Sequence, residues 1–170
     1  MQDQGSVAYT IRCARRQDIA ELVALCKEHA HFERVAYDTE AKADRLAEAL
    51  FSASPRLYAW VALAEDRDII GYATAAPEYS TWSAREYLHM DCLFVRSARR
   101  RAGVGASLLD SVIRLARELG HHEVQWQTPT WNVDASRFYR RHGGVGQRKL
   151  RFVLGVAERP EPSTAAGRIS

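Results

Sequence analysis

The 170-residue chain has no apolar run approaching the ~20 residues that a membrane-spanning helix needs, so no membrane span is expected. Its opening, MQDQGSVAYT, lacks the basic stretch followed by an apolar one that marks a secretory signal, which makes the cytoplasm the expected location. Cysteine is scarce. Cys13, Cys26 and Cys92 are odd in number, far apart and in no C-x-x-C spacing, which argues against a disulfide framework and against structural zinc. The histidines include no His-x-x-x-His pair with a helical acid, so no metal is expected. Charge of one sign is also limited. The net charge of +3 arises largely from clusters such as Arg99-Arg100-Arg101 and RFYRRHGG, without the broad, aromatic-interleaved basic face of a nucleic-acid binder. Local anion binding accounts for these clusters better than nucleic acid does.

What is present fits one packed globular unit, with 46% hydrophobic and 26% charged residues. The segment YTIRCA (Tyr9 to Ala14) alternates as a strand, and Ile19, Leu22, Val23, Leu25 and Cys26 then recur at helical spacing. Asp18 and Glu21 stand as a capping box for that helix, and Asp38/Thr39 as the cap of a second one ending before Ser54-Pro55. RLYAWVALAE and DIIGYATAAPEYS read as a hairpin, although no Asn-Gly or Asp-Gly marks the turn. Glu86 to Arg96 is long and mostly apolar, as a buried central strand would be. The next helix buries Leu108, Leu109, Val112, Ile113, Leu115, Ala116 and Leu119 and stops at Gly120. HEVQWQTP is read as a strand, NVDASRFYRRHGG as a short helix and QRKLRFVLGV (147–156) as a last strand. The expected order is β-α-α-β-β-β-α-β-α-β, an α/β fold with a mixed sheet flanked by helices. A domain over 9–156 is expected between flexible ends at 1–8 and 157–170.

The stretch RRRAGVG (Arg99 to Gly105) lies between the central strand and a helix. Glycines allow close backbone approach, and the helix dipole adds about half a positive charge, so the segment reads as an anion site. It is no Walker loop, because Ala106-Ser107 follow Gly105. Leu108 stands where a dinucleotide fingerprint needs glycine or alanine. What remains is Arg100-x-x-Gly103-x-Gly105 after a strand ending at Val95, together with WNVDASRFYRRHGG further on. On these two motifs and the element order, the sequence from roughly Tyr9 to Leu154 resembles the GCN5-related N-acetyltransferase (GNAT) superfamily, in layout most like diamine (spermidine/spermine-type) N-acetyltransferases.

The resemblance implies acetyl transfer from acetyl-coenzyme A to a primary amine in a ternary complex. Arg100, Arg101, Ala102, Gly103, Val104, Gly105 and Ala106 would hold the pyrophosphate. Leu93, Phe94 and Val95 would meet the thioester through their backbone, and Asn132, Ser136 and Tyr139 would flank the coenzyme. Tyr139 would be the general acid for the leaving thiolate. Asp91, in the run Met90-Asp91-Cys92-Leu93-Phe94-Val95, would draw the amine proton through water, because this acid is one methylene shorter than the glutamate at that place in similar enzymes. Read plainly, Asp91 is a structural acid and Tyr139 a core aromatic. Glu33, Asp38, Glu78, Tyr79, Trp82 and His89 are the expected contacts to a small cationic acceptor, a polyamine or lysine-like amine. An aminoglycoside or other amine antibiotic is the alternative acceptor, and a non-catalytic acyl-coenzyme A module the alternative class. A homodimer is expected from the resemblance.

Overall fold

A computed structural model describes residues 8–155. Five strands, β1 (Tyr9–Cys13), β2 (Tyr58–Ala64), β3 (Ile69–Ser80), β4 (Arg85–Val95) and β5 (Val124–Gln125), form one sheet in sequence order. The first four are antiparallel neighbours and β5 joins β4 in parallel, giving the expected mixed sheet. Helix α3 (Val104–Glu118) lies on one face, its Leu108, Leu109 and Val112 packed with Ala62, Ile70, Leu88 and Met90. On the other face α1 (Ile19–Phe32) and α2 (Lys42–Phe51) bury Leu22, Leu25 and Leu50 against Val61, Tyr72 and Phe94. Helix α4 (Val133–Arg141) follows β5. Among the described residues no helix is long and apolar enough to cross a membrane.

β3 and β4 approach so closely that a Cβ on Gly71 would lie 2.7 Å from the Phe94 carbonyl oxygen, which explains the glycine within the strand.

Several expectations are corrected. Residues 147–155 form no strand, and Leu150, Phe152, Val153 and Leu154 are each more than 80% exposed. Their apolar pattern is strand-like, but no sheet edge within the described chain pairs with them. Residue 156 and the expected flexible ends, Ala8 excepted, fall outside the described residues. β5 is two residues long because only Leu88 and His89 of β4 meet it. The second helix starts at Lys42, after Ala41 in the left-handed region (φ 53°), while Asp38 accepts a bond from the Glu40 amide instead of capping. Leu119 ends α3 and is 41% exposed.

Asp18 and Glu21 do not form the anticipated capping box. Glu21 reaches across to the Ile69 amide at 3.0 Å. The buried Asp18 carboxylate accepts two bonds from the Arg12 guanidinium, at 2.6 and 2.8 Å, and one from the Arg15 amide at 2.6 Å. The Arg12 hydrogen bonds hold the Asp18 carboxyl below its usual range, against the opposing effect of burial. The stabilisation is therefore complete above the unfolded value of ~3.9 and is lost as pH falls through the depressed folded value. Asp18→Asn is expected to cost about 2 kcal/mol at neutral pH, a deficit that shrinks on acidification. Urea unfolding of both proteins across the acid range checks this; a deficit independent of pH would refute it.

Candidate active site

The strand that ends at Val95 hands the chain to a loop with two left-handed residues, Arg101 (φ 69°) and Gly103 (φ 84°). Gly103 caps α3, and having no side chain it leaves the helix without a capping bond. The first intrahelical acceptor bond runs from the Ser107 amide to the Gly103 carbonyl, so the amides of Val104, Gly105 and Ala106 have no helical partner. Such a terminus, with the positive end of the helix dipole behind it, is built for an anion. Arg100 folds back toward the end of β4 and α1. Its Nε donates to the Val95 carbonyl at 2.8 Å, and its guanidinium lies 4.7 Å from the centre of the Phe32 ring.

β4 carries a bulge. Thr74 pairs with Cys92 and Ala75 with Met90, so Asp91 has no opposite number on β3. The extra residue shifts the alternation. Leu88 and Met90 before it, and Leu93 and Val95 after it, all pack in the core under α3, while Cys92 and Phe94 pack toward α1. Asp91 is left exposed in a cleft, where Leu93 to Val95 also appear in the wall. Beyond His89 the strands β4 and β5 part, and the cleft, about 1430 Å³, runs between them from the glycine loop to α1 and α2.

α4 closes one side of the cleft. Asn132 is its N-cap, its Oδ1 accepting from the Ala135 amide at 3.1 Å. The Tyr139 ring packs against Trp126 (centroids 5.0 Å apart) and Phe138 (5.2 Å). Burial pushes its phenol up to about 12, with the Glu33 and Cys92 charges adding in the same direction. The opposite wall comes from α1. His29 stacks on Phe94 at 5.0 Å, its Nδ1 is 3.1 Å from the Tyr72 hydroxyl, and its Nε2 is 3.5 Å from Glu33 Oε1. Burial holds the imidazole below its ordinary range, with Glu33 working the other way. Cys26 and Cys92 also lie on this wall; burial raises both thiols, Cys92 to about 12.

The cleft thus brings together Asp91, Leu93, Phe94, Val95, Arg100, Arg101, Gly103, Gly105, Ala106, Asn132 and Tyr139, with Glu33 and His89. Ala102 packs against the α3 core, the Val104 side chain is buried in it, and Ser136 does not reach the wall. Four expected acceptor contacts are corrected. Asp38 lies outside the cleft in its own turn. Pairing of β3 with β4 continues to Ser80 and Arg85, which carries Glu78, Tyr79 and Trp82 away from α1. Glu78 there accepts the Tyr87 hydroxyl, Tyr79 is 62% exposed and Trp82 wholly so. Tyr37, Lys42 and Arg45 line the cleft and are not singled out by the sequence, because nothing local marks which side chains turn inward.

Comparison with known proteins shows the family and the fold. The family described as "Acetyltransferase (GNAT) family" matches residues 17–144. The D-amino-acid N-acetyltransferase HPA3 of Saccharomyces cerevisiae is 31% identical over 68% of this chain and 71% of its own length. The thialysine N-epsilon-acetyltransferase of Mus musculus is 23% identical over 76% and 80%. The L-ornithine N5-acetyltransferase NATA1 of Arabidopsis thaliana is 33% identical over 44% of this chain, and the matched stretch spans only 33% of that relative. Among solved structures, an aminoglycoside acetyltransferase from an uncultured soil metagenomic sample superposes with a TM-score of 0.74 at 20% identity, covering 88% of this chain and 97% of that one.

Proposed function

Because the chain belongs to the GNAT family of acetyltransferases, we propose that it transfers the acetyl group of acetyl-coenzyme A directly to a primary amine of a small cationic acceptor, a polyamine or lysine-like amine. The observation that carries this reading is one continuous cleft holding an uncapped helix N-terminus at one end, Asp91 at the β4 bulge and Tyr139 facing the same space. Three of the relatives are named for acetylating ornithine, thialysine or D-amino acids, which supports an amine on a small amino-acid-like molecule.

The residues fit the coenzyme on physical grounds. The amides of Val104, Gly105 and Ala106 converge where a pyrophosphate would sit, and Arg100, Arg101, Arg137 and Arg141 supply cations along the wall. When bound, acetyl-coenzyme A supplies an activated acetyl thioester. The side of β4 turned from β3 is unpaired beyond His89 and offers backbone N–H groups near Leu93 to Val95 for a developing oxyanion. Asp91 is the group that accepts the amine proton, through water, and Tyr139 keeps a proton on Oη for a leaving thiolate. Cys26 and Cys92, with raised thiols, stay protonated at neutral pH and make poor nucleophiles, which supports direct transfer over an acyl-cysteine route. The exposed apolar run at Leu150 to Leu154 supports self-association as a homodimer.

Release of free thiol from acetyl-coenzyme A, measured across diamines, polyamines, lysine analogues, aminoglycosides and peptides, tests the reading. Acetylation of a small amine with intersecting initial-velocity lines is the expected result. Parallel lines would remove the ternary complex, turnover confined to aminoglycosides would move the acceptor class, and binding without turnover would leave an acyl-coenzyme A module.

A further inference from the structure

The wall of the cleft opposite the glycine loop carries charges of both signs. Glu33 and Asp91 are the carboxylates, and Lys42 and Arg45 of α2 are the cations. Lys42 is half-buried, and its Nζ stands 3.6 Å from the centre of the Tyr37 ring. The ring face attracts the ammonium and fixes it at the wall, where a flexible lysine would otherwise swing into solvent. Among the described residues no carboxylate lies within 4.0 Å of Lys42 or Arg45, whereas Glu33 already has His29 beside it. An ammonium held on an aromatic face with no carboxylate beside it is placed to take an anion from a ligand. The Cys26 thiol, next along the wall, lies within the fields of both Lys42 and Asp91, so the positive and negative groups belong to one space.

Resting on the acetyl-transfer reading above, we infer that Lys42, supported by Arg45, binds an α-carboxylate of the acceptor, and that the acceptor is therefore a diamino acid and not a polyamine. A polyamine would bring an ammonium against Lys42 with no acid there to offset it. A diamino acid places an ammonium toward Asp91 and Glu33 and a carboxylate toward Lys42, matching both signs. Lys42 is on this view a specificity-determining residue and takes no part in bond making.

Matched acceptors that differ only by the carboxylate test the inference: ornithine against putrescine, and lysine against cadaverine. Wild-type enzyme is expected to prefer the amino acid by about tenfold in kcat/KM, as one charge-assisted hydrogen bond to a carboxylate allows. Lys42→Met should shrink that ratio by about tenfold through a rise in the amino acid's KM, with its kcat little moved. Lys42→Arg should restore most of the preference, which separates lost charge from a disturbed fold. Equal or better use of the diamines, or a ratio unmoved in Lys42→Met, overturns the carboxylate site and leaves the acetyl-transfer reading standing. Thiol release with none of the four overturns it as well; if other amines are then turned over, only the acceptor assignment falls, and if no amine is, the acetyl-transfer reading falls with it.

Discussion

Tyr139→Phe is expected to lower kcat by about 100- to 1000-fold while coenzyme A binding stays nearly intact. Phenylalanine keeps the ring that packs on Trp126 and Phe138, so α4 and the cleft wall hold their places and only the hydroxyl is lost. A phenol raised to about 12 is a poor acid for a thiolate that keeps its ordinary value of ~8.5. Cys92 provides an internal gauge. Its thiol, in the same cleft, is also pushed up, first by burial and then by the Asp91 charge, so desolvation there acts on sulfur and on phenol in the same direction. Desolvation raises acid and acceptor together and preserves the driving force for proton transfer. Because the phenol stays protonated far above neutrality, wild-type turnover should not fall between roughly pH 8 and 10 through loss of the acid. Thiol release at saturating acetyl-coenzyme A measures both effects; a Tyr139→Phe enzyme with wild-type kcat would remove Tyr139 from proton transfer.

Gly103→Val is expected to weaken coenzyme A binding by about 100-fold or more, with a lesser loss of stability. Gly103 has φ 84°, a region that costs an L-residue ~1–2 kcal/mol and a β-branched one more. A Cβ there would also stand 3.1 Å from the Tyr9 hydroxyl, which is engaged with Ser107 Oγ at 2.9 Å. Relief of both strains requires the loop to turn, and the three unpartnered amides of α3 turn with it. Gly105 makes the contrast. A Cβ on it meets Phe138 at 3.5 Å, an ordinary contact, so Gly105→Ala should fold as the wild type does. Calorimetric titration with coenzyme A, paired with circular dichroism, separates the effects; wild-type affinity in a folded Gly103→Val protein would mean that the loop is no cradle.

Much of the fold was legible because its signals are local. The alternation of YTIRCA, the 3.6-residue spacing in α1 and α3, and the Gly-x-Gly at the start of α3 each follow from neighbours in sequence. The β4 bulge was not legible. Met90 to Val95 reads as a continuous apolar strand with one acid in it, and only pairing with Thr74 and Ala75 reveals that Asp91 is the extra residue. Acids near helix starts misled for the same reason. Asp18 and Glu21 sit at capping spacing, but Arg12 and the Ile69 amide, distant or on another element, claimed their carboxylates. The acceptor contacts divided along this line too. Glu33 faces the cleft because it caps the C-terminus of α1 one turn beyond His29, whereas Glu78, Tyr79 and Trp82 were carried off by a hairpin whose length no local rule sets.

Two ladder positions, Leu88 with Val124 and His89 with Gln125, are all that stitch β5 to the rest of the sheet. The backbone is therefore a garment with a short seam, held beyond that point by side-chain packing of Trp126, Phe138 and Tyr139 against the core. A ligand lying along the parted strands would add stitches where the chain has none. Tightness of binding and rigidity of the α4 side would then be one quantity, so any change that loosens the seam weakens the grip without touching a binding residue.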